Sequence, residues 1–253
     1  AAGYFRNFRE NTYKFSIEGY YKKYFDLVDY KDGADLVFTE FIETELLIGD
    51  GEAYGIELFL EKKVGKINGF MSYTLGRTTR TVKGDTPEES INQGNPYFAN
   101  YDKTHDISVL LNYAISKKWD ISAAFAFQTG RPMTTPDSKG QFEGFSYPNY
   151  MSRNNGRIPN YHRLDLSAVH YFKNNFNDKK FNSNLAFGVY NAYRRKNPYS
   201  ITFQNGDQNY TNQIVQLSIF GSMIPYVTFN FSFEYEKGYI IYYFFNQFRL
   251  HLL

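Results

Sequence analysis

The chain has no cysteine in its 253 residues, which excludes a disulfide framework and any thiolate metal site. It also lacks long apolar runs. Mean hydropathy is −0.53, and no stretch approaches the roughly 20 apolar residues of a membrane-spanning helix. Neither sign of charge dominates: 28 basic and 26 acidic residues leave a net +2, and the basic ones are scattered. A nucleic-acid partner is therefore not expected. The opening AAGYFRNFRENTYKF has neither the charged start nor the apolar stretch of a signal peptide. The expectation is either a cytoplasmic protein or a piece of a longer one.

Aromatic residues are abundant, at 20%, with 24 Tyr and 25 Phe against one Trp. Tyrosine suits the edge of an apolar layer, where the ring is buried and the hydroxyl reaches water. Sugar-binding β-sandwiches are aromatic-rich as well, so composition alone does not decide between them.

Periodicity narrows the choice. In HDISVLLNYAISKKWDISAAFAFQTG (105–130), His105, Ile107, Val109, Leu111, Tyr113 and Ile115 alternate with Asp106, Ser108, Asn112 and Ser116. After the turn SKKW, Trp119, Ile121, Ala123, Phe125 and Phe127 alternate with Asp120, Ser122 and Gln128. Period two over about ten residues is the mark of a strand with one apolar face. The same pattern recurs in 12–30, 53–65, 68–80, 161–173, 182–193 and 225–233.

The connections are unequal. VGKI, SKKW and NNFNDKK are short and polar, while stretches near 31–52, 81–104, 131–160 and 194–212 are long. Short turns on one side and long loops on the other are the layout of a transmembrane β-barrel, whose strands show lipid only at every second residue. Taking 182–203 and about 213–233 as single long strands, with GSMIP (221–225) as a bulge, predicts an all-β antiparallel meander of about eight long strands. If GSMIP is a turn, the count becomes nine. The apolar rows are expected to face lipid.

Several blocks, in order, carry a resemblance: EGYYKKYFDLVDY, AYGIELFLEKKVGKINGFMSYTLGRTTR, NPYFANYDKTHDISVLLNYAISKKWDISAAFAFQTGRP, NNGRIPNYHRLDLSAVHYF, YNAYRRKNPYSITF and IPYVTFNFSF. Together they resemble the C-terminal barrel region of TonB-dependent outer-membrane transporters of the Bacteroidetes type, over about residues 1–233. The resemblance implies that these strands belong to a 22-stranded barrel filled by a plug domain. It also implies import of a large nutrient (a metal chelate, oligosaccharide or peptide) driven by the proton-motive force through TonB. This chain shows no plug and no TonB box, so alone it is expected to form an open sheet with two free edges and to transport nothing. The implied partners are outer-membrane lipid, TonB through the plug, the barrel-assembly machinery and a surface lipoprotein. The implied location is the cell outer membrane. Val227, Phe229, Phe231 and Phe233 resemble the terminal signal read by that assembly machinery. Residues 234–253 fall outside the resemblance and are expected to pack poorly, as an extension or a gene-model artefact.

Residues with chemistry are few. His105, His162, His170 and His251 lack metal-site spacing, so neither a metal nor any other cofactor is expected. Glu57, Glu61 and Asp165 read as solvated charges of a polar lumen, with Arg163, Lys63 and Arg77 as partners, rather than a hydrolytic pair. No nucleophile or phosphate-loop motif is present, and an enzyme is not expected. Long loops on a rigid scaffold carry binding. Tyr147, Tyr150, Arg153, Asn154 and Arg157 are therefore the candidate ligand contacts, whereas YDKTHD, with Asp102 and His105, is expected to secure a loop base. Two other readings remain open: a soluble β-sandwich that binds carbohydrate or acts as an adhesin, and a small complete eight-stranded outer-membrane barrel.

Overall fold

Alternating side chains build nine long strands in the computed structural model, which describes residues 1–143, 145–150, 152–176, 179–205, 212–219, 221–235 and 238–240. In chain order they are β1 (Ala2–Phe8), β2 (Tyr13–Tyr30), β3 (Leu46–Lys62), β4 (Ile67–Thr81), β5 (His105–Ala114), β6 (Trp119–Gln128), β7 (Tyr161–Phe176), β8 (Lys179–Tyr190) and β9 (Ile224–Tyr235). Each pairs antiparallel with its chain neighbour, without a crossover. Tyr97–Phe98 adds to β4 and Gly238–Ile240 adds to β9. The two flanks do not pair with each other, so the sheet is open and no barrel closes among the described residues.

In such a meander, consecutive connections lie at opposite ends. Residues 9–12, 63–66, 115–118 and 177–178 join strands at one end, and 31–45, 82–104, 129–160 and 191–223 at the other. The expected asymmetry is therefore present along the whole sheet.

Four expectations change in detail. β1 is an extra strand, missed because Tyr4 and Phe5 are adjacent and break the alternation. It turns into β2 through Arg9, Glu10 and Asn11, all at positive φ, with the Thr12 N–H donating to the Arg9 carbonyl at 3.0 Å. Residues 182–203 are not one strand: Asn191 and Arg194 at positive φ end β8, and Pro198–Asn205 pairs instead with Asn212–Ser218 in a separate hairpin. GSMIP is likewise not a bulge within a continuous strand, since β9 begins only at Ile224. The sheet also runs past the expected boundary at 233. β9 reaches Tyr235, and Gly238–Ile240 turns back beside it.

Register sorts the side chains onto two faces. One row runs Phe15, Leu60, Met71, Val109, Phe125 and Leu164; another runs Ile67, Tyr113, Ile121, Ala168, Phe187 and Val227. The opposite face carries Glu18, Glu57, Thr74, Asp106 and Gln128 in one row and Asn68, Asn112, Ser122 and Ser167 in another. There the amides bond across strands, Asn112 to Asn68 at 3.0 Å and Asn230 to Asn184 at 2.8 Å.

Nothing among the described residues covers the apolar face. Leu111 is 51% exposed and Val227 56%, and Ile56, Leu60, Met71, Leu75, Ile121, Leu166 and Phe229 are also exposed. Among the described residues, the buried apolar side chains Ala53, Val82, Ile91, Tyr97, Ala99 and Pro132 lie in or beside the long connections. Accessible surface is 18,823 Å², where a compact soluble protein of this mass would show roughly 11,600 Å².

On the polar face, glycine makes room for tyrosine. Tyr20 lies across its register partner Gly55 and the next strand's Gly76; a Cβ on Gly55 would stand 2.5 Å from the Leu75 carbonyl oxygen and 2.8 Å from the Tyr20 hydroxyl. Tyr226 covers Gly188 in the same way. Gly19, on the apolar face, has only the Gly55 carbonyl oxygen, at 4.0 Å. We expect Gly55→Ala to destabilise the sheet by about 1–3 kcal/mol and Gly19→Ala by clearly less. Urea midpoints of the two variants in detergent check this, and equal midpoints would refute the tyrosine–glycine fit.

Candidate functional site

Three of the five candidate contacts, Arg153, Asn154 and Arg157, converge near the ends of β2, β4 and β6, beneath three of the long connections. Asp29, near the end of β2, accepts from three side chains, Arg153 Nη1 at 3.1 Å, Arg80 Nη1 at 3.2 Å and the Tyr97 hydroxyl at 2.7 Å, and from the Tyr30 N–H at 2.9 Å. Arg153 also donates to Asp32 through Nη2 at 2.6 Å, and its backbone is gripped by Asn92, which accepts from its N–H at 2.6 Å and donates to its carbonyl at 3.0 Å. Below this polar knot, Val82, Ile91 and Tyr97 pack with Leu47. Connections 82–104 and 129–160 are thus tied to the strand that begins the sheet's loop side.

A second tie uses Asp102, whose side chain is 1% exposed. Its Oδ1 accepts the Thr78 N–H at 2.6 Å, and its Oδ2 pairs with Arg157. Arg157 donates as well to the Gly130 carbonyl at 3.0 Å and lies over the Phe98 ring at 4.5 Å. Asn154, buried and at positive φ, donates from Nδ2 to the Phe98 carbonyl and to Asn100 Oδ1, both at 2.7 Å. Asparagine tolerates the left-handed conformation better than most residues, and its short amide reaches both acceptors.

Of the five candidates, Arg153, Asn154 and Arg157 are therefore engaged in holding loops together. Tyr147 and Tyr150 face solvent, on or beside the hairpin of Ser138–Phe142 and Phe145–Asn149. Tyr147 lies across Gly140, its partner there. Asp102 secures the loop base, as the YDKTHD stretch suggested. The sequence did not single out Asp29, Arg80, Tyr97 or Asn92. The connection 31–45 adds an exposed apolar tip, Leu36, Val37, Phe38, Phe41 and Ile42, whose turn is held by Asp35 accepting the Val37 and Phe38 N–H groups at 3.0 and 2.9 Å. Those two bonds keep the Asp35 carboxyl below its ordinary value.

Burial, then the hydrogen bond to Asp29 and its negative charge, push the Tyr97 hydroxyl well above the ordinary tyrosine value. A raised pKa in the folded state stabilises below the unfolded value near 10 and is lost as pH rises toward the folded one. Above about pH 10 the wild-type tie is therefore expected to weaken, while Tyr97→Phe, lacking the ionisable group, shows less of this loss. Protease nicking of the 129–160 connection against pH, in both proteins, measures it; parallel curves would contradict the assignment.

The remaining singled-out residues disperse. Arg163 pairs with Asp165 at 2.9 Å, and Glu61 faces Lys14 across the strands. Arg77 is not on the polar face. As register partner of Tyr54 it belongs to the apolar side, beyond the apolar rows, over the Phe98 ring at 4.9 Å. Lys63 leaves the sheet at the turn, its N–H donating to the Thr12 carbonyl at 2.9 Å. His105 Nδ1 meets the Tyr73 hydroxyl at 2.9 Å, His162 Nδ1 meets the Tyr193 hydroxyl at 2.8 Å, and His170 lies 4.5 Å from Trp119. His251 lies outside the described residues. Among the described residues no three His, Asp or Glu converge as a metal would require. Val227 and Phe229 are exposed on the apolar face, with Phe231 and Phe233 following in the same register.

No protein-family model, no curated protein and no solved structure matches this chain.

Proposed function

We propose that this chain is a wall segment of an outer-membrane β-barrel and serves an importer of a large nutrient, as its resemblance to TonB-dependent transporters implies. The observation that carries the membrane reading is the uncovered apolar band and its slope. On β2 the band runs from Phe15 to Tyr21, and on β9 from Val227 to Phe231. Followed through the register, Phe15 is level with Leu164 on β7, whereas Val227 is level with Ala168. The band's centre therefore shifts by about nine residues over seven strand steps, which at ~3.3 Å per residue and ~4.8 Å between strands is a slope of about 40°. Transmembrane barrels tilt their strands by about 35–45° so that a level lipid layer crosses them at this slope. A sandwich of aligned sheets, packed within about 30° of each other, does not call for such a diagonal.

The polar face then lines the lumen, the short turns lie on the periplasmic side and the tied connections form an extracellular platform. Open flanks suit a segment whose neighbours complete the wall; an exposed sheet edge does not persist in lipid. Cargo, plug and TonB coupling enter from the resemblance alone.

The test is fractionation with an antibody against the 131–160 connection. We expect the protein in outer-membrane fractions, resistant to carbonate washing, in a band about three times 29.6 kDa. Recovery in the soluble fraction would sink the membrane reading. A band at 29.6 kDa in the membrane would instead indicate a small self-contained barrel.

A further inference from the structure

Three consecutive cations, Arg194, Arg195 and Lys196, follow the end of β8, just beyond Val189, the last apolar-face residue of that strand. None of them forms an ion pair among the described residues. The nearby carboxylate, Asp165, is engaged by Arg163 and by the Asn191 N–H at 2.9 Å. Like charges left side by side without partners raise the free energy of the fold unless an anion arrives.

The segment is nonetheless firmly placed. Buried Asn191 accepts from the Arg195 N–H at 2.9 Å and donates to the Arg195 carbonyl at 3.0 Å, while Arg195 Nη2 donates to the Asn160 carbonyl at 3.2 Å. Gln216, from the separate hairpin, donates to the Lys196 carbonyl and to Ser218 Oγ, both at 2.9 Å. Because Ser218 Oγ accepts there, its own O–H is left to donate. Arg195, Lys196, Gln216 and Ser218, with Pro159 and Leu217, line a groove of about 780 Å³ that has no carboxylate among the described residues. Tyr199, Val215, Leu217, Ile219 and Met223 expose apolar surface beside it.

We propose that this groove binds the phosphate of an anionic amphiphile, a lipid whose apolar chains lie along the upper edge of the apolar band. The inference rests on the membrane reading, which puts the end of β8 at headgroup level. Guanidinium and ammonium groups there hold phosphate by charge-assisted hydrogen bonds, and their aliphatic stems rest on apolar surface. Free inorganic phosphate shares the headgroup's chemistry and is the other source the site could take.

The experiment uses the protein extracted from its membrane in dodecyl maltoside. Fluorescent phosphatidic acid is the probe, phosphatidylcholine with the same tails is the neutral control and inorganic phosphate is the competitor. We expect phosphatidic acid to bind at least about tenfold more tightly than the control, and Arg194→Gln/Arg195→Gln/Lys196→Gln to abolish that difference. Lys196→Gln alone, whose exposed side chain serves no described contact, should weaken binding about fivefold, so the proposal remains testable if the triple variant misfolds. Lys117→Gln/Lys118→Gln, at the opposite end of the sheet, should change nothing. Displacement by millimolar phosphate, with the same dependence on the variants, keeps the anion site but assigns it to free phosphate. Equal binding of phosphatidic acid by wild type and by both groove variants overturns the proposal. A protein that stays monomeric in water without detergent defeats the membrane reading instead, and phosphate titration in buffer still decides the groove.

Discussion

Arginine in place of Leu111 is expected to cost about 2–4 kcal/mol of folding stability in lipid, whereas arginine in place of Ser108 costs less than about 1 kcal/mol. Both positions lie on β5, three residues apart and on opposite faces. Leu111 shares its row with Gly69 and Ala123, near the middle of the apolar band. Ser108 shares its row with Ser72 and Ala126, small neighbours that leave room for a long side chain to reach water in a lumen. The cost at Leu111 is the free energy of holding a guanidinium in hydrocarbon, and it falls toward the interfaces. Tyr113, two residues nearer the turn, should therefore tolerate arginine better than Leu111. Folding into vesicles, followed by heat-modifiable migration and urea titration, measures all three. In a soluble protein the sign would differ, because Leu111 is already 51% exposed and its replacement by arginine would be neutral or favourable. Equal stability of the Leu111 and Ser108 variants would therefore overturn the lipid-facing assignment.

The same contrast shows why the strands were legible in the sequence. Period two is a property of the backbone, so the faces read from 105–128 are those that the register produces: Ile107 opposite Phe127, Val109 opposite Phe125 and Tyr113 opposite Ile121. The unequal connections were legible because glycine, proline and asparagine concentrate in them. β1 was not, because its turn uses Arg9 and Glu10 in the left-handed region, where glycine would have been the signal. The separate hairpin after β8 was missed for a related reason: alternation continues through Pro198–Asn205, and only positive φ at Asn191 and Arg194 redirects the chain. The ties among the loops were least legible. Asp29 and Arg153 meet across 124 positions, and in the sequence each resembles an ordinary solvated charge. Asp102 was placed correctly at a loop base, but its partner Arg157 read as a ligand contact, since a long basic side chain in a loop fits either role. Tertiary geometry alone separates them.

Asp102→Ala is expected to release the loop platform while leaving the sheet folded. The substitution strands a part-buried Thr78 N–H and leaves the Arg157 guanidinium without its carboxylate, which for a pair enclosed on the acid side costs about 3 kcal/mol. The loss is local. The pairing of β4 with β5 and the apolar band do not depend on Asp102, whereas the closures of 82–104 and 129–160 meet at it. Trypsin should then cut after Arg153 and Arg157 at least tenfold faster than in wild type, with heat-modifiable migration unchanged. Asp32→Ala supplies the comparison. Its carboxylate also pairs with a loop arginine, Arg153, but is 59% exposed, and an exposed pair contributes only about 0–1 kcal/mol. It should leave the cleavage rate nearly unaltered. If the Asp102 variant resists trypsin as wild type does, the platform is held by the Val82, Ile91 and Tyr97 packing instead, and the buried ion pair is dispensable. If both variants are cut quickly, the knot around Asp29 is as necessary as Asp102, and the long-loop end of the sheet behaves as one cooperative unit whose exposed tyrosines are positioned only while every tie holds.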